Sequence, residues 1–93
     1  GTKLCYIPKS LLNNSKLLRE VIRDGDILAI VTSKRELDTT HLGFAKWHKD
    51  GLHLMNASNL KKNGNRVVDP IETLYNYMMA RPANLGIRVA RIQ

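Results

Sequence analysis

Asp50-Gly51 lies between two stretches of strand character, Thr40–His48 and Leu52–Ala57. Asp-Gly flanked by such stretches is a strong hairpin signal, because both residues tolerate the left-handed backbone a two-residue loop needs. Strands joined by a tight hairpin run antiparallel. That one dipeptide therefore argues against an alternating, all-parallel sheet and for an α+β fold class on an antiparallel sheet. A third apolar run, Ile27 to Val31, gives Asp26–Thr32 as a strand, and its continuity predicts cover on both faces.

The remaining elements fall around this core. Pro8 favours extended backbone at Ile7, so residues 1–9 read as extended. A helix is expected within Ser10 to Arg23, with Leu11, Leu18 and Ile22 on one face, joined by Leu17 and Val21. Asn14 or Ser15 is its cap, and Gly25 suits a left-handed end. Ser58 to Asn65 is a polar loop and Arg66 to Val68 a short strand. Asp69-Pro70-Ile71-Glu72 reads as a helix start, with Asp69 as cap and Glu72 closing a capping box. Ile71, Leu74, Tyr75, Met78 and Met79 then form a packing stripe that ends at Arg81-Pro82. Gly86 to Ile92 closes the chain as a strand. At 93 residues, the chain is one small domain with one small core.

Charge and composition narrow the function classes. There are 15 Lys and Arg against 8 Asp and Glu, a net charge of +7. Such a surface attracts anionic partners. The basic residues are scattered, with Lys34-Arg35 and Lys61-Lys62 the only adjacent pairs. Aromatic residues make up 5%, too few for a base-stacking platform, so no nucleic-acid partner is expected. No run reaches the length of a membrane span. A single cysteine allows no internal disulfide and no thiolate-rich zinc site. No phosphate-cradling glycine loop and no Gly-x-Ser-x-Gly occurs, and no cofactor is expected.

Candidate reactive groups are few. His48 and His53 would be cross-strand neighbours about an Asp50-Gly51 loop. No third ligand accompanies them, and they read as a solvent-facing pair, not a metal site. Cys5 precedes Tyr6-Ile7-Pro8, away from any helix start that would stabilise a thiolate, and reads as a small buried apolar side chain. His41 precedes Gly43, where the missing side chain leaves room for another backbone or a substrate. A base needs a partner that orients its ring, and Asn56 on the returning strand lies on the same face. An Asp50-Gly51 loop pairs Asn56 with Ala45, about 13 Å along the strand from His41. On that spacing alone, His41 is an ordinary strand histidine. Direct contact would require a longer loop or a bulge.

Taken together, Gly25-Asp26-Ile27-Leu28-Ala29-Ile30, then Leu37-Asp38-x-x-His41-Leu42-Gly43-Phe44-Ala45, then Leu52-His53-Leu54-Met55-Asn56-Ala57-Ser58, resemble the second half of the NlpC-type cysteine peptidases. Within that superfamily the string is most similar to the bacterial N-acetylmuramoyl-L-alanine amidase-like family. Tyr6-Ile7-Pro8-Lys9 upstream, and Val67-Val68, the Asp69–Arg81 helix and Gly86-Ile87-Arg88-Val89 downstream, continue the order. The resemblance implies the sheet half of a papain-like fold and amide hydrolysis in peptidoglycan, with a muropeptide substrate. The catalytic histidine of the His-x-Gly motif carries over to His41. The orienting residue of the His-Ala-Ser stretch carries over to Asn56, where histidine is commoner.

The family's nucleophilic cysteine stands upstream of everything matched here, and Cys5 does not match it. Residues 1–93 are then expected to be a partial domain, inactive alone, from a parent protein of the cell envelope, periplasmic or secreted. The sheet face left without its covering half is expected to bind that half or to self-associate. A non-enzymatic basic module for an anionic polymer is the alternative.

Overall fold

A computed structural model describes residues 2–33, 42–56 and 72–92, and of residues 2–4, 56 and 92 the backbone alone. The apolar stretches form five strands: β1 (Thr2–Pro8), β2 (Ile27–Thr32), β3 (Leu42–His48), β4 (Gly51–Asn56) and β5 (Asn84–Ile92). They make one sheet in the order β1-β5-β2-β3-β4, and every neighbouring pair is antiparallel. The expected α+β class on an antiparallel sheet is what is found; β3 and β4 pair as the hairpin signal requires, and β2 lies beside β3. The Arg66–Val68 strand lies outside the described residues.

Among the described residues, two short α-helices pack on this sheet, and a 3-10 turn at Lys9–Leu11 precedes the first. The first, α1 (Ser15–Val21), begins at an Asn14 cap whose side-chain oxygen accepts the Leu17 N–H at 3.1 Å, satisfying a backbone donor the helix leaves open. Its end differs from expectation. Ile22 is already extended, at φ −123° and ψ 128°, so Gly25 is not the helix terminus. Ile22 swings its side chain into the core and offers its carbonyl to the Trp47 indole N–H at 3.0 Å. Gly25, at φ 89°, instead shapes the turn into β2, where its N–H bonds the Ala45 carbonyl.

The second helix, α2 (Leu74–Met79), also starts later than the Asp69-Pro70 signal suggests. Thr73 is extended and is itself the cap, its hydroxyl accepting the Asn76 N–H at 3.2 Å. A helix running through from Asp69 would need Thr73 in helical angles, so the capping box with Glu72 is not formed around this helix. Asp69, Pro70 and Ile71 lie outside the described residues.

Leu12, Leu18, Ile22, Leu74 and Met78 pack onto Ile7, Leu28, Ile87 and Val89 of the sheet to form the core. The helical stripes are narrower than their spacing implied. Leu17, Val21 and Met79 are exposed, because helices of two turns or less turn only one or two residues each fully inward; Leu11, also exposed, lies in the 3-10 turn before α1, which begins only at Ser15. The two faces of the sheet also differ. Leu28 is fully buried, whereas Ile27, Ala29 and Val31 on the other face are half-buried. Cover on both faces of β2 is therefore not supplied by the described residues.

Candidate functional site

The β3–β4 hairpin fixes the geometry around the candidate residues. His48 pairs with Gly51, so the loop is Lys49-Asp50, not Asp50-Gly51. Gly51 opens β4 at φ 132°, in the region that favours glycine. The consequence is a two-residue slide of the whole register. Asn56 faces Gly43, not Ala45. That brings Asn56 two positions, about 7 Å, toward the end of β3 that His41 precedes in sequence. His41 itself lies outside the described residues, as does the Asn56 side chain.

Gly43 is needed for the sheet itself. A Cβ there would strike the Met55 carbonyl oxygen and come within 2.9 Å of Leu54 Cδ1. Of the two roles its missing side chain allows, the approach of another backbone is the one realised, and that backbone is β4. The space is filled from within the chain.

Cys5 is exposed, contrary to its reading as a buried apolar side chain. It sits on the outermost strand beside a cleft of about 100 Å³ shared with Glu20, Val21, Val89 and Arg91. A strand at the margin of the sheet leaves its side chains uncovered even on the helix side.

The histidine pair is also corrected. His53 faces Lys46 in the register, so His48 and His53 are diagonal neighbours. Their rings nevertheless lie 4.2 Å apart, inclined at 47°. His53 is buried, and its Nε2–H donates to Asp50 Oδ1 at 2.6 Å. That bond holds the Asp50 carboxyl below the usual carboxylate range. The pair is thus a buttress of the hairpin tip, not solvent-facing. The spacing Asp-x-x-His across a turn was the signal for it, because the loop brings positions three apart together. Among the described residues no group of three or more His, Cys, Asp or Glu is arranged to hold a metal.

A second acidic centre left no local signal. Asp26 is buried at the start of β2, and Arg91 of β5 grips it with Nε at 3.0 Å and Nη2 at 2.7 Å. Arg91 Nη2 also reaches the Val21 carbonyl at 3.2 Å, and the Arg23 N–H donates to Asp26 Oδ2. The Arg91 bond lowers the Asp26 pKa, over the opposing effect of burial. An ion pair this well bonded ties α1, β2 and β5 together. It also disqualifies Asp26 as a general acid, which needs a raised pKa. No described helix is long and apolar enough to cross a membrane.

Comparisons place this geometry among known proteins. The model of the N-acetylmuramoyl-L-alanine amidase-like family matches residues 1–87. A crystal structure of an N-acetylmuramoyl-L-alanine amidase from Bacteroides uniformis superposes with a TM-score of 0.73 at 34% identity, covering 95% of this chain and 35% of that one. A Bacteroides fragilis protein carrying the provisional name of a xylanase gives 0.72 at 36% identity, over 94% and 36%. A Legionella pneumophila protein gives 0.59 at 28% identity, over 91% and 32%. This chain thus spans about a third of the length of the solved structures it matches. No curated protein matches it.

Proposed function

The chain belongs to the N-acetylmuramoyl-L-alanine amidase-like family, and from that we propose that it is the sheet half of a peptidoglycan amide hydrolase of papain-like, NlpC type. The observation that carries the reading is the register of the hairpin. It sets Asn56 opposite Gly43, within the His-x-Gly motif that His41 begins.

The chemistry is that of a cysteine hydrolase. A thiol supplied from outside these 93 residues gives its proton to His41, and the thiolate attacks the carbonyl carbon of the amide. His41 then passes the proton to the departing amine as the carbon–nitrogen bond breaks. Water, deprotonated by His41, cleaves the resulting thioester to the carboxylate and restores the thiol. The Asn56 side-chain oxygen accepts the other imidazole N–H and keeps the ring aimed. Cys5 takes no part, because it follows none of the sequence around a helix start that the nucleophile needs. Glycoside hydrolysis, which the xylanase name suggests, calls for two carboxyl groups across the bond, one with a raised pKa. Both described carboxyl groups with shifted pKa values, Asp26 and Asp50, are shifted down.

The whole protein works on muropeptides in the cell envelope, periplasmic or secreted. Its remaining half, or a second copy, covers the open sheet face. A chimera tests the catalytic roles: this chain replaces the matching third of the Bacteroides uniformis amidase, and muropeptide hydrolysis is followed by amine release. His41→Ala should lower kcat by about 10³-fold, and Asn56→Ala should lower kcat less, with little change in KM. Equal hydrolysis by the His41→Ala chimera would remove His41 from the mechanism.

A further inference from the structure

Asn56 is the last residue of β4, and its partner in the register is Gly43. A side chain at Gly43 would collide with the Met55 carbonyl oxygen and stand 2.9 Å from the carbonyl carbon. Leu54 Cδ1, also at 2.9 Å, is the end of a flexible side chain and can turn aside. The carbonyl cannot. It belongs to the peptide unit whose nitrogen is that of Asn56, and such a unit is planar and moves as one body. Room for a Cβ at position 43 is therefore made only by moving the backbone of Asn56 or that of Gly43 itself.

The sheet decides which strand yields. Gly43 is flanked on both sides, by Asn56 of β4 and by Leu28 of β2, and Leu28 is fully buried. Among the described strands β4 is outermost and is held by β3 alone. The start of β4 is braced by the Asp50–His53 bond at the hairpin tip. β4 would pivot about that tip, and its far end, Asn56, would travel furthest. Ordinary van der Waals contact with a Cβ requires a retreat of about 1 Å.

We propose that Gly43 is a positioning residue: its missing side chain lets the Met55–Asn56 peptide approach β3 closely enough for the Asn56 amide to reach His41. The inference rests on the reading of Asn56 as the group that orients His41, and adds what sets its reach. Asparagine carries its amide on a single methylene, so a shift of its backbone passes directly to the amide. A misplacement of about 1 Å among groups that act together can cost on the order of 10²-fold in rate.

The chimera with the Bacteroides uniformis amidase carries the test. Gly43→Ala should lower kcat by about tenfold or more, by no more than Asn56→Ala does, with KM little changed. In an Asn56→Ala background the same substitution should lower kcat by less than about twofold, because the group it displaces is gone. Asn56→Gln extends the reach by one methylene and should act with opposite signs. Where Gly43 is kept it should lower kcat by about threefold or more; combined with Gly43→Ala it should recover part of the lost rate. Additive losses in the cycle, or the same effect of Asn56→Gln in both backgrounds, would overturn the proposal. Should circular dichroism show that the Gly43→Ala chimera does not fold, Asn56→Gln alone decides. A rate equal to wild type would mean that the seat is not set to the length of asparagine, and the proposal fails. The two readings also fail separately. If Asn56→Ala leaves kcat unchanged, the orienting role of Asn56 falls and this inference with it. If Asn56→Ala lowers kcat and Gly43→Ala adds to it in full, only the role of Gly43 falls.

Discussion

Alternate residues of the same strands meet two different environments in this sheet. Toward the helices, Leu28, Ile87 and Val89 are packed against Leu18, Ile22 and Met78, and Asp26 is neutralised by Arg91. On the other side, Ile27, Ala29, Leu42 and Phe44 offer similar apolar groups with far less contact, and Arg88 and Lys46 remain exposed. Sequence chemistry is much alike on the two sides, so the difference lies in what covers them. Stability of the isolated chain should therefore be concentrated on one side, and recognition on the other.

The sharpest way to break that division is to truncate a side chain on the covered side. Leu28→Ala should cost about 3 kcal/mol in urea unfolding, through lost burial and the cavity left behind. A cost near that of an open-side substitution would dissolve the distinction. Asp26→Asn comes next, at about 2–3 kcal/mol, because it leaves Arg91 facing a neutral amide on the margin of the core. The pH dependence has a definite sign. Asp26 is lowered from 3.8, so its contribution is complete above that value and is lost as pH falls through the lower folded value. Wild type should lose stability over that acid range, and Asp26→Asn should flatten that part of the profile.

Smaller effects refine the comparison. Asn14→Ala should cost about 1 kcal/mol by removing the cap of α1, read as a midpoint shift with unchanged slope. Phe44→Ser should change stability by no more than about 0.5 kcal/mol. The same variant should bind markedly less of a hydrophobic dye than wild type, since the patch it interrupts is already in water. A large loss of stability from Phe44→Ser would mean that the open side is covered in the isolated chain.

The strands and the antiparallel β3–β4 pair were legible because apolar runs and the hairpin dipeptide are local signals, whereas the place of β5 between β1 and β2 was not. A cap at Asn14 or Ser15, of which Asn14 is the one used, was legible for the same reason. The register was not. Whether Asp50-Gly51 or Lys49-Asp50 forms the loop depends on where Gly51 places its unusual backbone and on the Asp50–His53 bond, and each choice is compatible with the same alternation. That two-residue uncertainty matters most at Asn56, the residue whose role depends on distance. The Asp26–Arg91 pair spans 65 positions and has no local signature. The exposure of Cys5 and the narrow helical stripes follow from which strand is outermost and how short the helices are, neither of which periodicity encodes.

The strand order has a consequence for how this domain comes into being. β5, the last strand in sequence, lies between β1 and β2. Among the described strands, β1 meets its partner only in β5, and until β5 is made β2 has only β3. The domain can close only when Asn84–Ile92 arrives to join the early strands, so its contacts are long-range and its folding should be slow. A chain cut before Asn84 would lose the middle of its sheet, leaving β1 detached and two long unpaired edges for quality control to find.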